Sequence, residues 1–110
     1  MVKITPVSVS GLEIEGGDRL DPVTVYFRDI GPREGQVVVI CYGRAWSAFW
    51  GGMADKTVRE FVASLDSYYL ASKLATGRES KKDYDYISRI AATVIQATRE
   101  SLANEPKGVA

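Results

Sequence analysis

Residues 37–50 constrain the fold more than any other stretch of this chain. Val37-Val38-Val39-Ile40 runs straight into Cys41-Tyr42-Gly43-Arg44-Ala45-Trp46-Ser47-Ala48-Phe49-Trp50. The second run holds both tryptophans, one of three phenylalanines and the only cysteine. Aromatic side chains bury the most area per residue, so the core is expected where they cluster. A run apolar on both faces suits a central strand. At Gly43-Arg44 two readings compete. With glycine first in a two-residue type II′ turn, residues 45–50 return as another strand. A single strand bent at Gly43 is the alternative, but it would exceed the common strand length of roughly 5–6 residues, which favours the hairpin. In either case Trp46, Ala48 and Trp50 share one face, and Ala45, Ser47 and Phe49 the other.

The stretch before this run alternates as strands do. Val2-Lys3-Ile4 and Val7-Ser8-Val9 read as half-buried strand, with Pro6 at an edge or bend, and Leu12-Glu13-Ile14-Glu15 alternates again. Residues 16–22 are dense in turn formers and read as a loop. Residues 23–30 form a strand with Val23, Val25 and Phe27 facing one way, and Thr24, Tyr26 and Arg28 the other. Residues 31–36 read as a polar hairpin loop.

After residue 50 the period changes. Gly51-Gly52-Met53-Ala54-Asp55 leaves the sheet, and Thr57-Val58-Arg59-Glu60 fits a capping box. Val58, Phe61, Val62, Leu65 and Tyr69 recur at helical spacing. Leu70 and Leu74 lie off that stripe, which implies a kink near Asp66 or a second helix capped by it. Gly77 reads as a helix C-cap. Ser80-Lys81-Lys82-Asp83 opens a last helix with a stripe of Tyr84, Ile87, Ile90, Ala91, Val94, Ile95, Thr98 and Leu102. Residues 104–110 read as a frayed tail. Strands first and helices after predict an α+β fold: a small antiparallel sheet of three or four strands, with two or three helices on one face.

At 110 residues, 45% hydrophobic and 25% charged, the chain fits a single globular domain, residues 1–110, with no need of a metal or disulfide. One cysteine excludes an internal disulfide and a thiolate zinc site. No run approaches the roughly 20 apolar residues of a membrane span, and the N-terminus lacks a signal-peptide core. A cytoplasmic protein without membrane association is expected. Fourteen basic and fourteen acidic residues give zero net charge, which argues against non-specific DNA binding.

Catalytic chemistry is hard to find. The absence of histidine removes the commonest general base and metal ligand. Cys41 lies inside an apolar strand, where a thiol is a packing group. Asp83 and Asp85 flank a helix start and read as capping charges, while Asp18 with Asp21 is a weak magnesium pair and Glu13 with Glu15 merely alternates. No phosphate-binding glycine loop occurs, and Ser80 beside Lys81 is no dyad by adjacency alone. A non-enzyme with no cofactor and no metal is expected.

Two features remain. One is the aromatic surplus of Tyr42, Trp46, Phe49, Trp50, Tyr68, Tyr69, Tyr84 and Tyr86. Core explains Phe49 and one tryptophan. A sheet covered on one side leaves the rest partly exposed, and exposed Trp and Tyr beside Arg44 suit a binding hot spot. The other is the cluster Lys73, Arg78, Lys81 and Lys82, read first as a solvated connection and second as a corner for an acidic partner or a phosphate. The candidate binding residues are therefore Tyr42, Arg44, Trp46, Trp50, Lys81 and Lys82. Either a protein partner, or a nucleic acid or nucleotide stacked on the aromatics, would use them. A homodimer through an uncovered sheet face or edge is compatible with both.

The runs Val25-Tyr26-Phe27-Arg28-Asp29-Ile30-Gly31-Pro32, residues 41–51, and Tyr69-Leu70-Ala71-Ser72-Lys73-Leu74 resemble small uncharacterised accessory proteins of tailed bacteriophages and prophages. The resemblance spans residues 23–102. It implies a gene product acting in the bacterial host cytoplasm by binding a host or phage protein, defence-system components included. It assigns no site residues.

Overall fold

The computed structural model describes residues 1–105. Four strands form one antiparallel meander in the order β1-β2-β3-β4: β1 is Ser10–Ile14, β2 Val23–Gly31, β3 Glu34–Cys41 and β4 Arg44–Trp50. Three helices follow: α1 Val58–Ala63, α2 Ser67–Leu74 and α3 Lys81–Ala103. This is the expected α+β order, with β2 and β3 central and β1 and β4 at the edges.

The meander aligns one apolar row per face. In register, Val25 lies opposite Leu12 and Val39, and Val39 opposite Trp46. Val23, Phe27, Val37, Cys41, Ala48 and Trp50 share that side, and all are buried. They merge into one core with Val58, Val62, Leu70, Leu74, Ile87, Ile90, Val94 and Ile95 from the helices. The helix stripes read from sequence are thus the cover of one sheet face. Gly35 marks where α1 comes closest: a Cβ there would stand 2.7 Å from Val58 Cβ and 2.8 Å from Met53 Cε. Any side chain at position 35 would push α1 off the sheet.

The helix ends are satisfied locally. The Thr57 hydroxyl accepts from the Glu60 N–H at 3.2 Å, Glu60 accepts from the Thr57 N–H at 2.9 Å, and Asp29 of β2 accepts from the Val58 N–H at 2.7 Å. So the six-residue α1, too short to persist alone, is capped by its own box and tied to the sheet. Its far end is held by Arg99 of α3, which donates to the carbonyls of Ala63 and Leu65 at 2.6 and 3.1 Å. Asp66 caps α2 and Ser80 caps α3.

Four expectations need correction. Residues 1–9 form no strand and are exposed; the first strand begins at Ser10. The 31–36 loop is shorter than its polar composition suggested, because Gly31 pairs with Glu34 around a turn at Pro32-Arg33. The β3–β4 turn is centred on Tyr42 and Gly43, not on Gly43-Arg44: Cys41 pairs with Arg44, and Tyr42 and Gly43 have φ of 51° and 75°. Positive φ at both central residues is the type I′ signature, whose twist matches that of the strands it joins. Lastly, α2 ends at Leu74 with Ala75 as its C-cap, and Gly77 (φ 88°) belongs to the turn beyond it. Of the expected tail, Asn104 caps α3 and Glu105 pairs with Arg59 at 3.0 Å; residues 106–110 lie outside the described residues.

Candidate binding surface

The sheet has one covered face and one open face, and strand parity decides what each side chain can do. Trp46 and Trp50 fall on the covered side. Trp46 meets Tyr86 of α3 edge-on at 5.9 Å between centroids, and Trp50 meets Phe61 of α1 at 5.2 Å. The Trp50 indole N–H donates to the Tyr69 hydroxyl at 3.0 Å. Both tryptophans are buried, so both are core, whereas the sequence reading gave only one to the core and named both as binding candidates. Phe49, read as core, is exposed. The inversion has a simple cause: the helices cover the face of Val23, Val25 and Phe27, and Trp46 and Trp50 share it.

The open face carries the other parity. Across the strands, Tyr26 lies opposite Val38 and Val38 opposite Ser47; Thr24 opposite Ile40 and Ile40 opposite Ala45; Arg28 opposite Gln36 and Gln36 opposite Phe49. Tyr26, Val38, Ile40, Ala45 and Phe49 therefore share the open face with Thr24, Gln36 and Ser47, which interleave with them in register, and with the charged Glu13 and Arg28 toward its margins. Tyr26 and Phe49 retain 42% and 51% exposure, and Tyr42 at the adjoining turn retains 74%. Tyr26 also rests over Gly11 of β1, with its Cδ1 3.2 Å from where a Cβ would be. Tyr26 and Phe49 are large apolar side chains exposed on this face, while Val38 and Ile40 are half-buried.

The predicted cation set divides. The Arg44 guanidinium lies 5.0 Å over Trp46 and 5.7 Å from the Tyr86 ring, and 3.9 Å from the Asp83 carboxylate. That places Arg44 beside the start of α3, where Lys81 and Lys82 are both exposed. So Tyr42, Arg44, Lys81 and Lys82 gather toward one corner, with Trp46 beneath the arginine. Trp50 sits at the opposite end of β4, under the Lys73 ammonium, which is 6.0 Å from its ring. The corner is partly self-neutralised by Asp83, and the exposed ion pair contributes little stability.

Elsewhere polar groups serve the fold. The Tyr86 hydroxyl donates to Cys41 Sγ at 3.2 Å; burial first, and then this hydrogen bond, pushes the phenol up to about 12. Arg89 donates to the Asp85 carboxylate at 3.1 Å and to the carbonyls of Asp18 and Arg19 at 3.1 and 3.2 Å, which fastens the β1–β2 loop to α3. Asp18, considered for a metal, instead pairs with Arg19 at 3.2 Å. Among the described residues, no group of three or more His, Cys, Asp or Glu is placed to hold a metal ion. Also among them, no helix is long and apolar enough to cross a membrane.

Sequence reasoning missed Tyr26, Val38, Ile40 and Phe49 as surface residues. The signal was present: Tyr26 shares parity with Thr24 and Arg28, the polar side of β2. What sequence alone did not supply was the pairing that sets Val38 and Ile40 on that side with Phe49.

A family model described as a phage family matches residues 2–107. No curated protein and no solved structure matches the chain.

Proposed function

The chain belongs to that phage family, and from this premise we propose that it is a non-catalytic accessory protein of the infected bacterial cytoplasm. It binds a host or phage protein through the open sheet face and the β3–β4 turn. A component of a bacterial defence system is the kind of target this reading favours. The observation that carries it is the set of Tyr26, Val38, Ile40 and Phe49 on a face that none of the described helices covers. Aromatic and aliphatic side chains projecting from a rigid, hydrogen-bonded sheet lose little entropy on binding, which favours them as anchors.

Tyr42 supports the same reading. A bulky residue at φ 51° is strained where Asn or Gly would fit freely. Folding alone does not account for an exposed tyrosine there, whereas a contact role does. The surface reading thus keeps Tyr42 from the predicted set and replaces Trp46 and Trp50 by Tyr26 and Phe49.

A second reading, a nucleic-acid or nucleotide-binding module, draws on the gathering of Tyr42, Arg44, Lys81 and Lys82 at one corner. Burial of both tryptophans removes the stacking platform it relied on. Affinity capture from host lysate, with and without nuclease, separates the two. A stoichiometric protein that survives nuclease supports the first reading, and capture abolished by nuclease supports the second.

A further inference from the structure

The N-terminal arm offers apolar side chains that no other described residue covers. Val2, Ile4, Val7 and Val9 are all exposed, Ile4 at 86%, in a segment that leads directly into the edge strand β1. That strand is itself incompletely covered: Leu12 and Ile14 pack against the core yet stay half-buried at its margin. An unpaired edge beside an apolar arm of alternating pattern is an invitation to further strand pairing.

We propose that the arm and β1 pair with the same segment of a second copy of this chain, antiparallel about a two-fold axis at Ser8. The sequence selects this register. Val2 then lies opposite the partner's Ile14, Ile4 opposite the partner's Leu12, Val7 opposite the partner's Val9, and Lys3 opposite the partner's Glu13. Three apolar pairs and one ion pair each occur twice by symmetry. A one-residue slip in either direction sets Val2 against the partner's Glu13 or the partner's Glu15, and moves the arm's side chains to the wrong face.

The parity is also consistent with the core. Leu12 and Ile14 lie opposite Val25 and Val23, so they face the helix-covered side. Val2 and Ile4 fall on that side too, and the pairing completes the burial that Leu12 and Ile14 lack. Pro6 leaves at most one ladder hydrogen bond unmade, a position an edge pairing tolerates. The axis stands perpendicular to the sheet, so the two four-stranded sheets join edge to edge with both open faces on one side. This inference goes beyond the binding role proposed above and does not depend on it. Two copies of the patch on one side would raise avidity for a repeated or dimeric target.

The test is the sedimentation mass of the full chain at high micromolar concentration, followed by cysteine cross-linking. A mass twice the 12.1 kDa of one chain is expected, falling to one chain when residues 2–9 are removed or with Ile4→Asp. Neither change touches a buried residue, so the circular dichroism melt should remain cooperative. Lys3→Glu should weaken the dimer roughly tenfold, because like charges then face each other at two symmetric places; Lys3→Glu with Glu13→Lys should restore it. Ser8→Cys should form a disulfide dimer under mild oxidation, since directly opposed residues lie roughly 4.5–5.5 Å apart, within disulfide range. Thr5→Cys should not. A monomeric full chain, a dimer that survives loss of the arm, or equal cross-linking at positions 5 and 8 would overturn the proposal.

Discussion

At the β3–β4 turn Tyr42 and Gly43 both hold positive φ, and only the second is a glycine. Left-handed backbone costs an ordinary residue roughly 1–2 kcal/mol. Gly43→Ala should therefore lower stability by about 1 kcal/mol, while Tyr42→Asn should raise it by a similar amount. Urea denaturation of the two variants checks both signs. If the turn is a contact point, Tyr42→Asn should also weaken partner binding, and a stabilised variant with weaker binding would mark the tyrosine as kept for contact. Tyr86 gives a second residue-scale test. Its folded pKa, about 12, lies above the unfolded value near 10. The neutral phenol is favoured in the fold, so its contribution is complete below pH 10 and is lost as pH rises toward 12. Melts of wild type and Tyr86→Phe across that window should converge as the wild type loses this contribution. Parallel curves would show that the phenol does not titrate as described.

Among the elements, the helices were the most legible in sequence. The Thr57 box, the Asp66 cap and the Ser80 cap each form where the sequence places them, because capping is a local chemistry of three or four residues. The strands were legible in parity and less so in extent. Val2 to Val9 alternates like a strand, yet it pairs with no other described residue: β1 begins at Ser10, opposite Phe27. Alternation tells which faces a strand would have, not whether a partner is there to pair with it. The turn shifted by one residue for a similar reason, since both Tyr42-Gly43 and Gly43-Arg44 contain the necessary glycine and only the pairing of Cys41 with Arg44 decides between them. The candidate site suffered most. Burial of Trp46 and Trp50 rather than Phe49 depends on which sheet face α1, α2 and α3 cover, a long-range choice that residues 41–50 do not contain.

The turn from α2 to α3 supplies an element-scale prediction. Glu79 accepts from the Thr76 N–H at 2.8 Å, the Thr76 hydroxyl at 2.9 Å and the Gly77 N–H at 2.9 Å. The Thr76 N–H first, with the other donors, holds its carboxyl down at about 2 against an ordinary value of 4.5. A depressed folded pKa means stability that is present above pH 4.5 and lost as pH falls toward 2. Glu79→Gln should remove part of the acid sensitivity in that window, seen as a flatter melting temperature from pH 5 to pH 2. An unchanged acid limb would show that other carboxylates carry the whole dependence.

For the molecule as a whole, a meander bearing three helices on one side has a surface left over, and this chain sets Tyr26, Val38, Ile40 and Phe49 there among Thr24, Gln36 and Ser47. The covered face accounts for both tryptophans and most aliphatic residues of the sheet, so packing of the described core does not require the exposed Tyr26 and Phe49. Truncating Trp46 or Trp50 therefore tests the core. Binding is tested on the other side of β4. The most direct measurement is affinity capture from nuclease-treated host lysate by the wild-type chain and by a Tyr26→Ser/Phe49→Ser variant matched for melting temperature. Binding through the open face predicts one stoichiometric protein on the wild type that is lost from the variant. A partner held equally by both chains, or a capture that fails whenever nuclease is present, would contradict it.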